Sequence, residues 1–410
     1  MSYSDKKCVL SFFLIAFLFI PAVRSQAEDW AKWRGPSGDG ISQETNWTSD
    51  WPPAGPAVIW RGSVGTGLSA ISISQGRMFT MGNADNVDTV FCLDAETGAE
   101  RWRHSYASPL DARFFDGGPT ATPTVDGDHV YTLGRQGQLF CVSAKSGKIK
   151  WSTNIQEATG ARIPGWGFGG SPVVHGDMLL LNVGDAGAAV KKATGELIWK
   201  TGDRQAGYTT PLLHTVTGKT TMFLASGKFY SRVNAQTGKV LWQHRWLTRF
   251  GANGADPILA GEHLFISSGY NRGCALLDLK EAVPRVVWSN KDMQNQLSSC
   301  VLIDGFLYGI DGDTGTGRAL KCMELLTGEV KWSVDGLGSG SLIAAGGRLI
   351  ILSEDGVLVI ARAVPSAFKE LARFQVLDGR CWTMPVLANG RIFCRTANGD
   401  VVCVNVRNEN

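Results

Sequence analysis

ATPTVDGDHVYTLGRQGQLFCVSAKSGKIKW, from Ala121 to Trp151, holds four short apolar runs parted by three glycine-containing turns. ATPTV ends at Asp126-Gly127, HVYTLG at Gln136-Gly137 and QLFCVSA at Ser146-Gly147, and KIKW closes the unit. Alternating apolar runs joined by such turns are the signature of antiparallel hairpins, so the stretch reads as one four-stranded sheet.

Outward from this unit, the pairing of Gly147 with Trp151 four residues later recurs at Gly98/Trp102, Gly195/Trp199, Gly238/Trp242 and Gly328/Trp332. Trp60 and Trp288 keep the period without that glycine, and Phe374 in LARFQV falls where an eighth, degenerate member belongs. Successive markers stand 42 to 49 residues apart. Periods in the forties with four strands per unit predict propeller blades. The last unit has three strands, in CWTMPVL, RIFCRT and DVVCVNV, and then the chain stops. A ring left open would expose two blade edges. The missing outer strand is therefore expected from AVIWRG, Ala57 to Gly62, making an all-β, eight-bladed β-propeller closed by an N-terminal strand that completes the C-terminal blade. Residues 57–406 form the propeller in this reading, and residues 28–56 a lead-in segment packing on it, with Trp30 and Trp33 covering a blade flank.

Composition agrees. Fifty glycines, fourteen tryptophans and 19% charged residues describe a turn-rich aromatic β protein. Residues 1–27 have the form of a cleaved signal peptide: Lys6 and Lys7, the uncharged run Val9 to Val23, then Ser25-Gln26-Ala27. That run is 15 residues long and contains Pro21, short of the roughly 20 that a membrane span needs. Cys8 precedes it, so no lipobox is present. A periplasmic or secreted location without a stable membrane span follows. Without residues 1–27 the chain carries 37 Lys and Arg against 36 Asp and Glu, which lacks the basic footprint of a nucleic-acid binder.

The repeated LDAxTGxxxW (Leu93 to Trp102), WAKWRGPSGDG (Trp30 to Gly40), GWGFGGSPVV (Gly165 to Val174) and SSGYNRGCALL (Ser267 to Leu277) resemble the PQQ-like propeller repeat family. That family includes quinoprotein alcohol dehydrogenases and BamB-like assembly factors. The likeness is to its secreted BamB-like or polyvinyl-alcohol-dehydrogenase-like branch. It implies the fold strongly and the chemistry weakly. PQQ alcohol dehydrogenases commonly stack a vicinal disulfide on the cofactor, and no adjacent Cys-Cys pair occurs here.

The resemblance places sites above the central channel, on the loops joining successive blades. Those loops offer Arg113, Asp116, Arg162, Trp166, Phe168, Tyr208, Arg249, Asp256, Gln294, Gln296, Arg380 and Trp382 as candidates for a ligand. An aromatic platform flanked by cations suits a planar anion such as a quinone carboxylate, and the same residues also read as channel filling with solvated charges. In a quinoprotein, Asp256 would be the catalytic base. Asp311 and Asp313 in DGDTGTG could offer oxygen ligands to calcium, although a polar turn explains them as well. The histidines show no metal-ligand or triad spacing, and no Cys-x-x-Cys-His occurs to attach haem. A type I′ turn at Asn398-Gly399 would set Cys394 opposite Cys403, close enough for a disulfide, the alternative being two packed thiols; the same register sets Cys141 opposite Thr132.

The expectation is a non-catalytic binding or scaffold propeller, monomeric, with a protein or polymer partner on its top face or blade surfaces and no cofactor. The rival is a PQQ-dependent dehydrogenase oxidising an alcohol with PQQ and calcium.

Overall fold

The computed structural model describes Met1 and residues 29–112, 115–313 and 318–408. Residues 2–28, where the signal peptide is expected, and Arg113 lie outside the described residues. Eight antiparallel sheets follow one another around a ring, spanning residues 72–107, 124–154, 173–200, 212–245, 258–290, 301–334 and 341–375, with the eighth built from both ends of the chain. We number them blades 1 to 8 in that order.

The innermost strand of a blade is short, three to five residues, and in blade 1 fully buried at Ser72–Ser74, whereas the outermost is longer and alternately exposed, as in Glu100–Ala107. Blades converge on the axis, so little room is left at the centre, and the outer edges meet water. Those edges carry charge, including the Arg103–Glu100 and Arg373–Glu370 pairs, which blunts edge-to-edge pairing.

The repeat tryptophans join neighbouring blades. The indole N–H groups of Trp60, Trp102, Trp151, Trp199, Trp288 and Trp332 donate to carbonyls of Ala95, Ala144, Lys192, Ala235, Leu325 and Val364 in the next blade, at 2.9–3.1 Å. The glycine of the repeat supports the ring of the tryptophan before it. A Cβ on Gly98 would come within 2.6 Å of Trp60, and one on Gly147 within 2.6 Å of Trp102. At φ near +70° both sites also favour glycine by backbone conformation.

In all eight blades a one-residue bulge sits on the outer strand immediately before the Trp position. It corrects the reading of blade 7, where Leu371 is bulged and Ala372 takes the Trp place. Phe374 lies two residues further on, and its ring rests on Gly55, where a Cβ would approach to 2.2 Å. Gly55, five residues before Trp60, is the glycine that the eighth repeat lacked.

Across the blades the third-strand cysteines sit between rings. Cys92 pairs with Phe79 and Trp102, Cys141 with Tyr131 and Trp151, Cys322 with Tyr308 and Trp332, and Cys403 with Phe393 and Trp60. Burial pushes the Cys141 and Cys322 thiols up to about 11 and Cys92 and Cys403 to about 12, which leaves them unreactive hydrophobes.

Val58–Ser63 pairs antiparallel with Asp400–Asn405, with Trp60 opposite Cys403, so the N-terminal strand closes the ring. The hairpin before it departs from expectation. Asn398 keeps a negative φ and Gly399 alone is positive, at +101°. The Gly399 N–H donates to the Thr396 carbonyl and the Thr396 N–H to the Asp400 carbonyl, which makes a three-residue loop with a glycine bulge. Cys394 therefore faces Val402 and Cys403 faces Phe393, and the two thiols, both free, project to opposite sheet faces. The expected disulfide geometry is absent. Gly134–Gln138 is the same kind of turn, so Cys141 faces Tyr131 rather than Thr132.

The lead-in corrects another expectation. Trp30 bridges Ile73 in blade 1, the Ala31 carbonyl accepts the Val125 N–H of blade 2, and the Arg34 guanidinium reaches the Cys300 carbonyl ahead of blade 6. Ile41–Ser42 then pairs parallel with the innermost strand of blade 7. Contact with the inner edges of blades 1, 2, 6 and 7 places the segment in the central channel, not on a flank. WRGPSGDG winds around Arg34, whose guanidinium also takes the Gly38 and Asp39 carbonyls.

Candidate functional site

The loops that leave each outer strand and enter the next inner strand enclose a cup of about 560 Å3 over the plugged channel. Trp33 lines it from below, and its indole N–H donates to Asp256 Oδ2 at 2.5 Å. Asp256 Oδ1 accepts the Thr210 N–H at 2.7 Å. Burial raises the pKa of this carboxyl, while the nearby Arg34 guanidinium opposes the rise. With both oxygens engaged beneath the floor, Asp256 ties the lead-in to blades 4 and 5.

The wall is aromatic. Trp166 meets Tyr208 at 5.6 Å and Phe250 at 6.3 Å, and Phe250 meets Tyr270 at 5.5 Å, all edge-to-face. Phe115, from the loop before blade 2, and Trp382, from the loop before blade 8, continue the lining. Phe250 stands 60% exposed with φ at +69°, a conformation costing a non-glycine residue about 1–2 kcal/mol. Tyr270 and Asn271 also have positive φ, at +56° and +58°, and the Arg272 N–H donates to the Gly269 carbonyl, forming a two-residue hairpin turn that lifts the phenol over the cup.

Polar groups hold these rings. Tyr208 Oη accepts the Trp166 N–H at 3.2 Å, and Tyr270 Oη accepts Gln296 Nε2 at 2.7 Å. Burial pushes Tyr208 up to about 12 and raises Tyr270, with Asp313 adding to the latter. The Trp382 indole donates to Glu354 at 3.0 Å, and Glu354 also binds Arg318 at 2.6 Å and the Ser339 N–H. Burial works against the Glu354 charge, but these three donors hold its pKa below the usual range.

Residues 110–334, more than half of the chain, match the family described as outer membrane protein assembly factor BamB. The chain belongs to this PQQ-like propeller family. No curated protein sequence matches it. Among solved structures, BamB from Moraxella catarrhalis is similar at 14% identity and TM-score 0.64, over 85% of this chain and 99% of that one. The quinohemoprotein alcohol dehydrogenase from Comamonas testosteroni is similar at 13% identity and TM-score 0.68, over 94% and 81%. A europium-containing methanol dehydrogenase gives 11% and 0.68, over 92% and 89%. At such identities the structures share the fold.

On this PQQ-like propeller the sequence candidates separate. Trp166, Tyr208, Gln296 and Trp382 line the cup. Phe168 is buried in the core between blades 2 and 3, with its N–H on the Arg135 carbonyl. Arg162 is exposed, and its backbone N–H takes the Asp203 carbonyl. Arg249 lies over the Phe250 ring at 5.0 Å, and Arg380 over Trp382 at 4.6 Å while pairing with Asp116 at 2.8 Å. Gln294 and Asp311 meet below the rim: Asp311 Oδ1 accepts the Gln294 N–H and Oδ2 the Lys321 ammonium at 2.6 Å. Lys321 thus fills the place a calcium ion would take on Asp311. Among the described residues no group of three His, Cys, Asp or Glu is placed to hold a metal ion.

Sequence reasoning missed Trp33, Phe115, Phe250 and Tyr270 as lining, along with Arg135, buried with its guanidinium over Phe115 at 5.4 Å and near Asp111 at 3.6 Å. Tyr270 had a signal, an aromatic in the turn of SSGYNRG. Trp33 had none, since nothing local says that the lead-in enters the channel.

Proposed function

We propose that the protein is a non-catalytic binding propeller of the cell envelope, periplasmic or secreted, which takes a protein or polymer partner into the cup on its top face. One observation carries this reading: none of the described cup-lining residues is charged, and the nearby carboxylates serve internal partners. Asp256 is held by Trp33 and Thr210, Glu354 by Arg318 and Trp382, and Asp116 by Arg380. A general base must reach the proton it removes, and both Asp256 oxygens and the Glu354 carboxylate are spent on the scaffold, while Asp116 gives Oδ1 to Arg380 and keeps Oδ2 buried. The family's description as an assembly factor supports the reading.

A PQQ-dependent alcohol dehydrogenase is the second reading, favoured by an aromatic cup at the site the family resemblance implies. The residues present do not fit calcium-held PQQ. The quinone's carboxylates call for cations directed into the cup, whereas among the described residues Arg249 lies on the Phe250 ring and Arg380 and Arg135 lie on rings beside their own carboxylates. Titration with PQQ and calcium, followed by dye-linked alcohol oxidation, tests the choice. No turnover is expected; saturable PQQ binding with turnover overturns the proposal.

A further inference from the structure

Two rim aromatics occupy backbone conformations that aromatic residues rarely adopt, and Phe250 gains little burial in return. An exposed ring held in strained backbone serves something other than the core. The surfaces available to a ligand in the cup are ring faces, amides and hydroxyls. Gln205 and Gln296 supply amides. The Tyr208 hydroxyl accepts from Trp166 and also bonds the Gln205 side chain, whereas Tyr270 accepts from Gln296, which leaves the Tyr270 phenol its own proton to donate, and its raised pKa keeps that proton in place.

This inventory selects by chemistry. An anion gains no charged partner from the described lining residues. A wholly apolar ligand would strip water from the phenols and amides and return no hydrogen bonds. A ligand that is apolar on one face and ringed by hydroxyls satisfies both sets of groups at once. We infer that the cup binds a neutral saccharide, with pyranose C–H faces against Trp382, Phe250 and Trp166 and hydroxyls on Tyr208, Tyr270 and the glutamines. The concave shape suits the end or a bend of a glycan chain better than the surface of a folded protein, which needs a broader contact. This inference rests on the proposed binding role and names the class of its ligand.

Titration calorimetry with cellohexaose, maltohexaose, xylohexaose, mannohexaose and chitohexaose tests it, with trigalacturonate as an anionic probe and a tryptophan-containing peptide as a protein-like one. At least one neutral hexasaccharide is expected to bind saturably, with an affinity insensitive to added salt. Phe250→Ala should weaken binding about tenfold and Tyr270→Phe several-fold, at unchanged melting temperature, while Leu326→Ala, on an exposed outer surface, changes nothing. Silence across the neutral panel, binding of trigalacturonate or the peptide alone, or full affinity in Phe250→Ala would each overturn the inference. Should the sugars fail while PQQ also gives no turnover, the saccharide is wrong and the binding role stands. PQQ turnover would remove the binding role whatever the sugars do.

Discussion

Arg395 is 1% exposed and ties the last blade to the first. Its guanidinium donates to the carbonyls of Ser69, Met81, Gly65 and Gly67 and to the Thr80 hydroxyl, at 2.7–3.2 Å. Burial pulls its pKa down to about 9, still above neutrality, so the cation persists. Arg395→Met would strip this charged donor from four buried carbonyls, of which Ser69 alone keeps the Thr80 hydroxyl among the side-chain donors, and we expect a loss of about 3–5 kcal/mol by chemical denaturation. Arg395→Lys should recover only part, because an ammonium cannot span the same fan of acceptors. The sequence marked RIFCRT as a strand but gave no hint of this role, because these five acceptors lie more than 300 residues away. The repeat glycines hid their purpose in the same way: the Gly98 contact is with Trp60, in the preceding blade.

Among the elements, blade number and ring closure were legible because the Trp period counts units directly and the deficit at one end matches the surplus at the other. Hairpin register was not. Asn398-Gly399 has the composition of a type I′ turn, but the Val64 N–H takes the Gly399 carbonyl and the Gly67 N–H that of Ala397, which favours the longer loop. Residues from the other end of the chain thus decide a turn that local sequence would set differently. Mapping of unfolded protein alkylated without reductant should find Cys394 and Cys403 both modified; a linked peptide would contradict the register. Removing residues up to Ser63 should lower the melting temperature sharply, since blade 8 loses its outer strand, Trp60 its place on Gly98, and Phe374 its seat on Gly55. An unchanged melting temperature would deny the strand its closing role.

At the scale of the whole molecule, stability should depend on pH through histidines in blades 1 and 4. Burial lowers the pKa of His104, His214 and His244, with Arg232 adding to the effect at His214 and Arg272 at His244. The unfolded chain then binds these protons more readily than the folded one, so their contribution is intact above the ordinary value of roughly 6.5 and is lost as pH falls below it. Buried Asp88, Asp256 and Asp311, all raised chiefly by desolvation, act in the opposite sense on acidification. Melting temperatures at about pH 7.5 and 5.5 should therefore differ less in the combined His104→Gln, His214→Gln and His244→Gln protein than in the parent. The cup was half legible. Its platform residues followed from counting loops, but its floor depended on a lead-in whose path is set by contacts with four blades and by no periodicity of its own.

The closing strand bears on the order of events during synthesis. Val58–Ser63 leaves the ribosome long before its partner Asp400–Asn405. During the interval the early strand carries Trp60, Val58 and Ile59 with no sheet to join, an open edge of the kind that pairs with other chains. Blades 1 to 7 can form in turn from local hairpins, whereas the closing join brings together residues more than 300 apart and awaits the arrival of Asp400–Asn405. Folding of this ring should accordingly show a fast phase of blade formation and a slow, length-dependent closure, during which the chain is most open to aggregation.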